Sequence, residues 1–132
     1  MKTSIYLGTD DCRLQTGVIT DGSIYGGIGA DQIYLGRIHG DDVYRGIGQA
    51  EQRIGYIRGN DIFISRGSAA GRCIGSVDEQ YVIHGIGCFR ECIAHLDADG
   101  REALCAGAAL LLFYNALTPH TSSGGNHDCI RI

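Results

Sequence analysis

Four potential metal donors, His84, Cys88, Cys92 and His95, stand with three, three and two residues between them. Two imidazoles and two thiolates converging on one point would make a tetrahedral zinc site. The pattern lacks the tight CxxC turn of structural zinc motifs, and Cys92 has a counterpart nineteen residues earlier in Cys73. A thiol that recurs at one repeat position points to packing, because cysteine behaves as a small hydrophobe. Nucleophilic cysteine chemistry needs an imidazole base and a third group to orient it. Cys88, His84 and Glu91 supply those types, as do Cys129, His127 and Asp128. Neighbours along a strand point to opposite sides, which works against both sets.

The segment GGIGADQIY (26–34) fits the glycine-rich calcium repeat GGxGxDxUx, with Asp31 as the carboxylate and Ile33 as the inward aliphatic. Calcium takes six to eight oxygens, which such proteins gather from successive turns. The equivalent segments RGIGQAEQR and HGIGCFREC have no aspartate at that place. The acidic pairs Asp10-Asp11, Asp41-Asp42, Asp78-Glu79 and Asp97/Asp99 fall mostly at junctions where solvated turns explain them. These residues give no reason to expect a resident cofactor or a catalytic residue, and they leave His84, Cys88, Cys92 and His95 as the candidates for a metal.

The elements that would carry these residues come from a tandem repeat. SIYLG (4–8) recurs as SIYGG, DVYRG, DIFIS and YVIHG, nineteen or twenty residues apart. Tyr6, Tyr25, Tyr44 and Phe63 form one column, and Gly8, Gly27, Gly46 and Gly85 another. A second half-repeat keeps step in Gly17, Gly36, Gly55 and Gly75, and in Ile19, Ile38, Ile57 and Val77. Each half is short, β-branched or aromatic, and bounded by turn residues, so each reads as a strand. The repeats span 4–22, 23–41, 42–60, 61–80 and 81–100, within a single domain of residues 1–132.

The expected fold is mainly β, a curled or closed antiparallel meander of two-stranded repeats, with a flattened β-solenoid as the alternative. Side-chain alternation suggests that the aromatic rings share a face with the glycines and lie across them. Arg37, Arg45, Ser76, His84 and His95 then vary on the other face. In architecture the repeat resembles the short glycine- and tyrosine-rich hairpin repeats of the MORN type, with a shorter period. Residues 101–117, rich in Ala and Leu and preceded by Asp99 with Glu102 three places on, predict an apolar helix with a capping box. A degenerate sixth repeat is the alternative there. A polar tail, 118–132, follows.

The uncharged run inside that helix falls short of the roughly 20 residues needed to span a bilayer. Eleven Lys and Arg against fifteen Asp and Glu give a net charge of −4. The basic residues form no stripe of the kind that tracks a phosphate backbone, so neither nucleic acid nor membrane is expected as a partner. MKTSIYLG shows no secretory pattern, which makes the cytoplasm the expected location. The pattern as a whole favours a non-enzymatic binding or assembly module, forming homo-oligomers through the helix or the N-terminal edge, with a protein partner on the variable face. Two alternatives stay open. One is a small metal- or thiol-dependent enzyme built on His84, Cys88, Cys92 and His95; the other is a ligand-binding β-barrel with Tyr6, Tyr25, Tyr44 and Phe63 around the pocket.

Overall fold

The computed structural model describes residues 2–9, 13–27, 29–65 and 71–117. Ten strands follow one another in a single antiparallel sheet ordered as in the sequence. They are β1 (Lys2–Leu7), β2 (Leu14–Thr20), β3 (Ser23–Gly26), β4 (Ile33–His39), β5 (Asp42–Arg45), β6 (Gln52–Arg58), β7 (Asp61–Ile64), β8 (Arg72–Asp78), β9 (Tyr81–His84) and β10 (Glu91–His95). This is the meander and not the solenoid. Its ends nearly close into a barrel: Gly8 N–H donates to Ile93 O at 2.8 Å, and His95 N–H donates to Gly8 O at 3.1 Å.

Each repeat carries one β-bulge at the same place. Ile5 opposes Gly17 while Tyr6 opposes Gln15, and the slip recurs at Ile24/Tyr25, Val43/Tyr44, Ile62/Phe63 and Cys92/Ala94. The extra residues are Thr16, Leu35, Ile54, Ile74 and Ile93. A bulge bends its strand and increases the local twist, so a bulge in every repeat curls the sheet progressively.

The chain turns inward after Leu96. Helix α1 (Gly100–Leu112) breaks at Phe113, and α2 (Tyr114–Leu117) follows. The run 101–117 is thus helical in two pieces, not a sixth repeat; 118–132 lies outside the described residues. Packed against β1, β2 and β6 to β9, α1 is enclosed by its own sheet. Ala103, Ala106, Ala108, Ala109 and Leu110 are completely buried, as a helix apolar on all sides must be. The core is completed by Ile5, Ile24, Val43, Ile62 and Val82, one per repeat. Among the described residues no helix is long and apolar enough to cross a membrane.

The glycine column of the second half-repeat serves this helix and not the aromatic rings. A Cβ on Gly17, Gly36, Gly55 or Gly75 would lie within 3.0 Å of the carbonyl oxygen of Tyr25, Tyr44, Phe63 or Ile83 respectively. It would also meet Leu117, Phe113, Leu112 or Leu111 of the helices. The rings stand on the opposite, outer face: Tyr25 opposes Val18 and Tyr34, and Tyr44 opposes Arg37 and Arg53. The expected sharing of a face fails because the strand register sets these glycines opposite the inward aliphatics, Ile5 against Gly17 and Ile24 against Gly36, and sets Tyr25 against Val18. The capping box fails as well. Asp99 accepts from Gln80 at 2.9 Å, Glu102 accepts from the Thr3 hydroxyl at 3.0 Å, and Asp99 makes no side-chain cap.

Candidate functional site

The four candidate ligands do not converge. His84 shares a face with Val82, which is buried, and its ring stacks on Tyr114 at 6.2 Å. Cys92 opposes Ile83 on the outer face, where its thiol leans toward Ala94 O at 3.6 Å. His95 is also on that outer side, stacked on Tyr81 at 4.6 Å and 3.3 Å from Gln80 Oε1. Cys88 is exposed in a short 3-10 turn, Gly87–Phe89. Among the described residues no group of three or more His, Cys, Asp or Glu side chains is placed to hold a metal ion. Cys73 leans toward Gly75 O at 3.4 Å just as Cys92 leans toward Ala94 O, so the two thiols occupy equivalent positions beside a bulge. The Cys129, His127 and Asp128 set lies outside the described residues.

Among the described residues, the aromatic column packs against other side chains of its own outer face. Arg13 sits over Tyr6 at 4.5 Å and Arg37 over Tyr44 at 4.7 Å. Tyr25 meets Tyr34 edge-on at 5.7 Å, and Phe63 stacks on Tyr56 at 5.0 Å. The same guanidiniums bind carboxylates: Arg37 grips Glu51 through two bonds of 2.7 and 2.9 Å, Arg53 binds Asp42 at 2.8 Å and Arg13 binds Asp97 at 2.7 Å. The hydrogen bonds from Arg37 hold the Glu51 carboxyl below the usual range, and those from Arg13 do the same for Asp97. This face is a knitted belt of rings, cations and anions, in which Arg13, Arg37 and Arg53 are each paired with a carboxylate.

The loops joining the two strands of each repeat all fall on one end of the meander, and they behave differently. Gly46 and Gly85 close strands β5 and β9 with φ of +94° and +93°. Ile47 and Ile86 then extend, with φ of −131° and −135°, before Gly48 and Gly87 return to positive φ. An extended isoleucine between two glycines has no neighbouring side chain to pack on. Ile47 is 70% exposed and Ile86 56%, while Phe89, on the same loop as Ile86, reaches 83% and Ile33, the first residue of β4, 66%. Hydropathy had marked these residues as apolar, and only the path of the backbone shows that they miss the core. Among the described residues, what these loops offer is apolar contact area at one end of the meander.

Compared with protein-family models, curated proteins and solved structures, the chain finds no match among them.

Proposed function

We propose that the protein is a non-enzymatic binding and assembly module that self-associates through the apolar loop end of its barrel. The observation that carries this reading is the exposure of Ile47 in the third repeat and of Ile86 and Phe89 in the fifth, together with Ile33 at the start of β4 in the second. Connecting loops are ordinarily polar, and contiguous exposed apolar residues mark interaction sites. An isologous contact, rim against the same rim, would cover them on both partners at once. Of the two interfaces envisaged from sequence, the apolar helix is buried within the sheet, and the N-terminal edge is partly covered where Gly8 bonds to Ile93 and His95. A cytoplasmic setting belongs to the same reading and would keep Cys88 and Cys92 as thiols.

Sedimentation equilibrium over a micromolar range tests the proposal. The wild type should show a reversible dimer or larger species, and Ile47→Asp with Phe89→Asp should remain monomeric and folded. A wild type that is monomeric throughout overturns it, and so does a double variant that associates as tightly as the wild type.

A further inference from the structure

At the opposite end of the barrel, α1 does not fill the space it enters. Gly107 lets the helix press so close to β8 and β9 that an added Cβ would strike Val77 and lie 3.5 Å from Val82. On its other side, toward the ends of β2 and β4 and the turns that follow them, the helix leaves space. A cavity of about 290 Å³ opens there, lined by Ile19, Ile38, Gly22, Gly40 and Thr3 of the sheet and by Cys105 of the helix, with Asp21 and Arg101 at its mouth. Protein interiors pack to the density of organic crystals, so a gap of this size under a helix is a feature to account for.

We propose that this cavity is a binding site for a small, uncharged, apolar molecule of the size of indole. Its lining argues for apolar character, since the body of the space is bounded by two isoleucines, two glycine backbones and a thiol. The Thr3 hydroxyl is committed to Glu102 at 3.0 Å. The mouth argues for neutrality. Arg101 is tied to Asp41 at 2.8 Å and to the Gly40 carbonyl, and Asp21 stands on the same rim, so an anion meets carboxylates and a cation meets a guanidinium. Size follows from volume: a 150 Å³ apolar cavity holds benzene, so 290 Å³ that opens to solvent takes roughly ten non-hydrogen atoms. The site is separate from the apolar loop rim and does not depend on self-association.

Indole titrated into the full-length protein and followed by amide chemical shifts is the test. Shifts should saturate at Thr3, Gly22 and Gly40 with a Kd on the order of 0.3 mM, the affinity expected of a small ligand. Cys105→Leu, which extends the helix side of the cavity into its space, should weaken binding at least tenfold. Should that variant fail to fold, iodoacetamide labelling of the wild type decides, resolved by peptide mass. Saturating indole should slow alkylation of Cys105 several-fold and leave Cys88 unchanged. Shifts that never saturate, shifts centred on Ile47 and Phe89 instead, or equal labelling of Cys105 with and without indole would each overturn the proposal.

Discussion

The two ends of the barrel are built from the same residue type, glycine, for different reasons. At the turn end, Gly40 and Gly59 have φ near the ordinary left-handed value, +63° and +61°, and a Cβ on either would meet nothing within 4 Å. These two glycines serve the backbone twist of tight hairpins beside Asp41 and Asn60, whereas at Gly22, with φ of +87°, a Cβ would also meet the Ile38 carbonyl at 3.0 Å. At the loop end, Gly46 and Gly85 sit at φ of +94° and +93°, and a Cβ on either would crowd the carbonyl of Ala50 or Phe89. The loop end thus uses glycine for space as well as for conformation, and it spends that space on holding apolar side chains outward. A solvated end gains nothing in folding from Ile47 or Phe89, which is why the difference points to a partner.

The largest test of this contrast is a pair of substitutions. Gly85→Ala should cost about 3 kcal/mol, the upper end of backbone strain at sparsely populated φ, whereas Gly40→Ala should cost about 1 kcal/mol. Urea denaturation measures both, and equal costs would mean that crowding at the loop end is unimportant. Next in size is Phe89→Ala, which should weaken self-association about tenfold, or ~1.4 kcal/mol, while changing folding stability by less than ~0.5 kcal/mol. Sedimentation and denaturation together separate those two effects. Smaller again is Arg101→Ala at the turn end. Its ion pair with Asp41 is exposed, so a double-mutant cycle with Asp41→Ala should give a coupling of about 0.5 kcal/mol, declining with added salt.

The two ends should also respond to opposite extremes of pH. Burial pushes the Cys105 thiol up at the turn end. The folded protein then holds that proton more tightly than the unfolded chain does, so the contribution is complete below the ordinary thiol range and is lost as pH rises through the folded value. Glu51, beside the loop end, is held low by Arg37. Its contribution is present above the ordinary carboxylate range and is lost as pH falls through the depressed value. Denaturation midpoints against pH should show an alkaline decline that Cys105→Ala removes, and a slighter, salt-sensitive acid decline that Glu51→Gln removes.

Much of the strand framework was legible because each repeat solves the same packing problem. The aliphatic column that starts at Ile5 recurs through five repeats, the aromatic and glycine columns that start at Tyr6 and Gly17 through four, and turn residues punctuate them. The faces were not legible. A residue's side of a sheet follows from counting by two, and the single extra residue at Thr16 or Leu35 reverses the count without leaving a compositional mark. The same blindness affected the metal candidates: His84 and Cys92 are close in sequence and lie on opposite faces once the register is known. The loop rim was legible as apolar residues but not as exposed ones.

By itself, then, the sequence determined the number of strands, their grouping into two-stranded repeats and an apolar run after Gly100. Those features depend on local propensity and on spacing along one chain, which the residues state directly. The structure chose the meander over the solenoid and the helix over a sixth repeat. Only the tertiary structure decided that the sheet curls around that helix, that the glycines face it, and that Ile47 and Phe89 are left outside. Curvature accumulates from five small bulges, and burial depends on which surface ends up concave; neither is a property of any single repeat.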